Sequence, residues 1–431
     1  MANVQRLSAL ALATVFAGCS VSRVNDAGPD FGVTDGGRED ASDFGMGFDA
    51  SDGGHSDAGP PSCGMLGARV GPLDVTGHVP SGPGQTAIAP DRSLTWLERT
   101  TEWSTVTAAP DLAGLAVARA AFIPITIGGR PIPGPYFLTA FDTTEDSWLL
   151  TFGDDAADAQ RYVAVLLRDG SIRGAPANPL PAIGAAYDVR GMFAASDGTA
   201  FRALAIERSV LGACAQRVRE LRVPFDGSTP TVGPAVDMDV SAYPQWVAGA
   251  WLFVAPAACV PGAPLDLWTL PIGATAATSM RTDLPSAIFY LWAPAGNSGI
   301  AAVLGATDTD PPRALSVAWL DRATGTMSRP PQEVFRSSTG FVQTPGTILL
   351  ADGDAAIVLR VDERVADPGS ETEWLVRAAA GGTPSSLLLS GPQPPTAIIG
   401  RLLLSDGRQV VTDWSIGSRH FIGGALCSHV P

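Results

Sequence analysis

Tyr162-Val163-Ala164-Val165-Leu166-Leu167-Arg168-Asp169-Gly170-Ser171 is an apolar run that stops abruptly at Asp-Gly-Ser. A short run of Val and Leu reads as a buried strand, and Asp-Gly supplies the side-chain bonding and positive φ that a tight hairpin needs. The signal recurs at Asp226-Gly227-Ser228, Ile272-Gly273-Ala274, Thr324-Gly325-Thr326 and Gly381-Gly382-Thr383. Successive glycines stand 57, 46, 52 and 57 residues apart, counting to Gly382. Ala109-Pro110-Asp111 and Ile416-Gly417-Ser418 read as the first and last rungs of this ladder.

A second ladder interleaves with it: Ala89-Pro90-Asp91-Arg92, Ala195-Ser196-Asp197-Gly198, Leu350-Ala351-Asp352-Gly353 and Leu404-Ser405-Asp406-Gly407. Its aspartates are separated by 106, 155 and 54 residues, or two, three and one units of about 53. Weaker turns near Gly153-Asp154-Asp155 and in residues 256–264 and 307–311 fill the gaps. No segment sustains a helical apolar pattern over three turns, and residues 112–122 read equally well as a strand pair. Two hairpin turns per unit, repeated seven times, describe seven four-stranded sheets. The expectation is therefore all-β, a seven-bladed β-propeller. Tandem immunoglobulin-like sandwiches would also divide the length, but the regular period favours the propeller. Trp268, Trp319 and Trp374 precede the ladder glycines and are expected to wedge between blades.

The hairpin Ala89-Pro90-Asp91-Arg92-Ser93-Leu94-Thr95-Trp96 resembles the Ser-Pro-Asp-Gly hairpin of TolB-like propeller repeats and the Asp-box hairpin of sialidase-type propellers. Ala89 stands where the family has Ser, and Arg92 or Ser93 where Gly is usual. The resemblance implies the architecture and carries no activity.

The N-terminus reads differently. Arg6 precedes a ten-residue apolar run (residues 7–16) that ends in Val15-Phe16-Ala17-Gly18-Cys19. That run has signal-peptide length and is too short to span a bilayer. Small residues before a cysteine resemble the lipobox of bacterial lipoproteins, with Phe16 where that family prefers Leu. The resemblance implies a signal peptide over residues 1–18, cleavage before Cys19 and acylation of Cys19, so that the lipid bilayer becomes a partner. Ser20, in place of the Asp of inner-membrane lipoproteins, implies the outer membrane of the cell envelope. The plain alternative is a secretory peptide cut near Ala17.

Residues 20–62 carry nine acidic side chains against Arg23 and Arg38, a net charge of −7 out of −15 for the 431-residue chain. Low hydropathy with like-charge repulsion predicts a disordered acidic tether, so residues 19–62 form one unit and residues 63–431 the folded domain. All 28 basic residues are arginine. This excludes P-loop, Schiff-base and Ser-x-x-Lys chemistry, and the negative balance argues against a nucleic-acid partner.

Cys63, Cys214, Cys259 and Cys427 remain, an even number in a chain read as exported. They allow three pairings, which the sequence does not decide. Cys63–Cys427 with Cys214–Cys259 is favoured, because a closed ring brings the ends of the domain together. No zinc spacing involves His55, His78, His420 or His429, and there is no Gly-x-Ser-x-Gly elbow. Gly82-Pro83-Gly84-Gln85-Thr86-Ala87, Asp308-Thr309-Asp310 and Asp352-Gly353-Asp354 read as turns before dinucleotide or calcium sites. No catalytic residue, metal or cofactor is expected. The functional expectation is a monomeric binding or scaffold module for an envelope protein or glycan. The alternative is a propeller enzyme, a glycan or peptide hydrolase or lyase, using carboxylates around the axis.

Overall fold

The computed structural model describes residues 63–428 other than 64, 79–85, 100–102, 110–111, 113–119, 122–125, 128–129, 132–139, 154–160, 181–186, 210–215, 239–243, 258–262, 287–288, 297, 306–311, 339, 352–355, 366–370, 394–402, 406–407 and 417. The described chain begins with β1 (Met65–Asp74), whose sheet is completed only at the C-terminus. Blade 1 is β2 (Thr86–Ile88), β3 (Leu94–Arg99), β4 (Trp103–Ala108) and β5 (Ala120–Ala121), followed by a small hairpin, β6 (Thr126–Ile127) and β7 (Arg130–Pro131). Blade 2 is β8 (Ala140–Asp142), β9 (Ser147–Gly153), β10 (Arg161–Leu167) and β11 (Ile172–Ala177). Blade 3 is β12 (Tyr187–Ser196), β13 (Phe201–Ser209), β14 (Gln216–Val223) and β15 (Thr231–Met238). Blade 4 is β16 (Gln245–Val247), β17 (Ala250–Pro256), β18 (Leu265–Pro271) and β19 (Thr278–Arg281). Blade 5 is β20 (Phe289–Ala295), β21 (Gly299–Gly305), β22 (Ala314–Asp321) and β23 (Met327–Arg336). Blade 6 is β24 (Gly340–Ala351), β25 (Ala356–Val365), β26 (Glu371–Ala379) and β27 (Ser385–Gln393). Blade 7 joins β28 (Leu403–Ser405), β29 (Gln409–Ile416) and β30 (Arg419–Ser428) to β1 as its fourth strand. Seven antiparallel blades in a propeller arrangement are thus observed.

Strands buried on both faces explain the continuous apolar runs. Successive residues point to opposite faces, so Ile357, Leu359 and Val361 of β25 face blade 5 while Val358 faces blade 7. The core is accordingly seven wedges, one at each blade interface from blades 1 and 2 round to blades 7 and 1. Trp268 packs in the wedge of blades 3 and 4, and Trp319 and Trp374 in that of blades 5 and 6, as the sequence suggested. First strands of neighbouring blades touch one another around the axis, whereas fourth strands form the exposed rim. Each rim strand of six residues or more contains proline: Pro72, Pro176, Pro234, Pro330 with Pro331, and Pro392. The two exceptions, β5 and β19, have two and four residues.

The glycine ladder of the sequence is the set of turns between third and fourth strands. Gly170, Gly227, Gly273, Gly325 and Gly381 all have positive φ, between 69° and 87°. Several dock on the preceding blade. A Cβ on Gly227 would stand 2.1 Å from the Arg173 carbonyl oxygen, and one on Gly325 would stand 2.5 Å from that of Arg281. Two expectations need correction. The weaker turns near residues 153–155, 256–264 and 307–311 lie between second and third strands, not first and second. Short turns such as Ala248-Gly249 do the latter work and carry less Pro and Asp to betray them. The supposed last rung at residues 416–418 likewise joins second to third strand, because β1 replaces a covalently connected fourth strand in blade 7.

Aspartates set the turns. Asp169 Oδ1 accepts Ser171 Oγ at 2.6 Å and Ser171 N at 2.8 Å, and Asp226 Oδ1 accepts Ser228 N at 2.9 Å. These bonds hold both carboxyls below the usual carboxylate range. A lowered carboxyl stabilises the fold above its unfolded value, and that contribution is lost as pH falls through the folded one. Tm measured against pH should therefore stay level down to about pH 5 and fall below about pH 4. Combining Asp169→Asn with Asp226→Asn, which removes the titrating carboxyls, should make the acid limb shallower. An unchanged limb would remove these turns from the explanation.

Candidate functional site at the ring seam

Alternation places Arg360 and Asp362 on one face of β25, in the row begun by Val358, and the register sets Glu373 of β26 beside Asp362. Arg360 is fully buried, Asp362 is 1% exposed and Glu373 6%. The Arg360 guanidinium is hydrogen-bonded to Glu373, lies 3.6 Å from Asp362 Oδ1, and reaches Asp413 Oδ1 of blade 7 at 3.8 Å. Burial alone would push this guanidinium down. Glu373, Asp362 and Asp413 outweigh it and hold the group above its usual value, so it stays charged.

Asp413 and Ser415 share a face of β29, and His420 of β30 lies opposite Ser415. His420 Nε2 is 2.9 Å from Asp413 Oδ2, and its Nδ1 is 2.7 Å from Ser415 Oγ. Because a carboxylate only accepts, Nε2–H donates to Asp413 and Nδ1 accepts from the Ser415 hydroxyl when the ring is neutral. The backbone of His420 engages the closing segment, donating to Thr76 Oγ1 at 3.0 Å and accepting from Val75 N at 2.9 Å. One polar chain therefore runs from blade 6 through blade 7 to the end of β1. On the other face of β25, Glu363 accepts from Ser337 Oγ at 2.5 Å, Trp374 Nε1 at 2.9 Å and Thr372 Oγ1 at 3.0 Å.

Carboxylates converge here with an arginine and an imidazole, but between blades and shielded from solvent. Their chemistry as arranged is mutual: the charges tie neighbouring strands within each blade, and Arg360 with Asp413 links blade 6 to blade 7. Similar ties occur elsewhere. Buried Glu207 is bonded to Arg217 and Arg219, and Ser196 of blade 3 donates to Asp142 of blade 2. No group of three or more His, Cys, Asp or Glu arranged to hold a metal occurs among the described residues.

Of the residues singled out from sequence, Cys63 and Cys427 are brought together as a disulfide, their Cα atoms 4.9 Å apart. Cys19, Cys214 and Cys259 lie outside the described residues. The seam cluster went unread in the sequence. Its signal was there, charged residues inside apolar runs: Leu359-Arg360-Val361-Asp362 and Val411-Thr412-Asp413-Trp414.

No protein-family model matches the chain, and no curated protein matches it. Among solved structures it is similar to the Dos1 propeller, at 8% identity and TM-score 0.40, over 85% of this chain and 95% of that one. It is also similar to the acylaminoacyl peptidase of Pyrococcus horikoshii, at 11% identity and TM-score 0.43. That likeness covers 75% of this chain and 46% of the peptidase, less than half of its length. Cobalt-substituted ACO of Synechocystis stands at 12% identity and TM-score 0.43, over 78% and 79% of the two chains. None of these transfers an activity, and the architecture rests on the strand pairing described above.

Proposed function

We propose that this protein is an exported lipoprotein, anchored through acylated Cys19, whose propeller serves as a binding or scaffold module for an envelope protein or glycan. The observation that carries the reading is the use made of the buried carboxylates. Asp362, Glu373, Asp413 and Glu207 are each spent on arginine or histidine partners that tie strands or blades together. Rigidity of this kind suits a recognition surface. The anchor reading is supported by the sequence around Cys19, and Ser20 supports the outer membrane as its site.

Radiolabelled palmitate should mark the wild-type chain in its native host and leave Cys19→Ala unmarked; equal labelling of both would remove the anchor. Affinity capture with the full chain from envelope extracts should return one defined protein or polysaccharide reproducibly. Repeated capture of nothing, together with turnover of a glycan or peptide, would overturn the binding role. A second reading, a hydrolase, would draw on the Ser415–His420–Asp413 chain with Ser415 as nucleophile. Under it a fluorophosphonate would label the wild type but not Ser415→Ala, whereas a purely structural chain would stay unlabelled.

A further inference from the structure

The tether and the ring meet at one covalent joint. β1 is the rim strand of blade 7, mostly exposed or half-buried along its ten residues. Its ladder with β30 begins Met65↔Ser428 and Leu66↔Cys427 and is then broken by irregularities between Leu66 and Arg69 and between Val70 and Leu73. β1 is hydrogen-bonded along one edge only. Without a crosslink ahead of it, β1 would take tension arriving from residues 20–62 first at Met65, and its pairs would open one after another.

Cys63 sits where that tension arrives, fully buried. Its partner Cys427 belongs to β30, which is paired on both sides, to β1 and over eight residues to β29. We infer that the Cys63–Cys427 disulfide transfers tether tension past the closing strand into a doubly paired strand, so that the ring cannot be unzipped from its N-terminal end. This rests on the reading of residues 19–62 as a tether anchored at Cys19. Beyond β1, unzipping would uncover Val75, which packs with Leu94 and Trp96 of blade 1 in the wedge that closes the ring.

The test is single-molecule force spectroscopy on the full chain, held through its N-terminus and through a handle at the exposed turn residue Ile272. The Cys63→Ser/Cys427→Ser variant should show an early low-force step that frees about 13 residues, or about 45 Å of contour. The wild type should lack that step before the ring unfolds. If the variant does not fold, folded wild type treated with dithiothreitol should be cleaved by protease between residues 65 and 75, and untreated protein should resist. An early step of equal force in both proteins, or none in either, overturns the inference. Loss of palmitate labelling with the step difference intact would instead remove the anchor and leave the joint.

Discussion

Arg360→Met is expected to lower stability by about 3–5 kcal/mol, enough to unfold a marginal domain, because it strands buried carboxylates without their cation. Arg360 has no exposed surface, and Asp362, Glu373 and Asp413 all lie against it. A methionine fills much of the same volume, so the loss is electrostatic more than steric. The measurement is a urea midpoint for the wild type, Arg360→Met, and Arg360→Met combined with Glu373→Gln. The double variant should recover part of the loss, because it removes one uncompensated charge, and the two changes should be clearly non-additive. A single-variant cost under about 1 kcal/mol would mean that solvent reaches the seam and the cluster is not closed.

Gly227→Ala should be the next most damaging change, at about 3 kcal/mol or more, and Gly273→Ala supplies its internal control at about 1–2 kcal/mol. Both glycines occupy the turn between third and fourth strands, with φ of 73° and 69°. An added methyl group at Gly273 meets nothing within 4 Å, so only the left-handed backbone resists it. At Gly227 the same methyl group collides with the backbone of Arg173 and Gly174 in blade 2, and a methyl group on Gly174 would in turn strike the Gly227 carbonyl. Two backbones cannot give way as a flexible side chain can. Gly381 should fall between, since its obstacle is the Arg329 guanidinium. Thermal unfolding of the three alanine variants decides the matter, and equal costs at all three would show that turn conformation alone is at stake.

The fold was legible because its punctuation is local. The turn between third and fourth strands needs a positive φ, and at Gly170, Gly227, Gly273, Gly325 and Gly381 that residue is Gly, so the five interior rungs show in the sequence; Arg92, Asp146 and Ala248 adopt the same backbone without that signal. The ends were harder. Residues 416–418 look like any other rung, and only the return of β1 to β30, across 345 residues from Asp74 to Arg419, changes their place in the blade. The disulfide could be anticipated from ring closure, whereas the seam cluster could not. Arg360 and Asp413 belong to different blades, and no short-range pattern announces that their side chains meet. Charged residues within a doubly buried strand were the one available clue, and they compete with the much commoner reading of a strand end.

The prolines of the outer strands bear on how copies of this ring behave together. The proposed anchor at Cys19 would hold copies by one end on a shared surface, where they would meet far more often than in free solution. A bare strand edge under those conditions is a template for polymerisation. Pro72, Pro176, Pro234, Pro330, Pro331 and Pro392 each interrupt the row of N–H donors that a neighbouring sheet would need. Edge-to-edge pairing between two such rings would therefore lack a continuous row of donors on these strands.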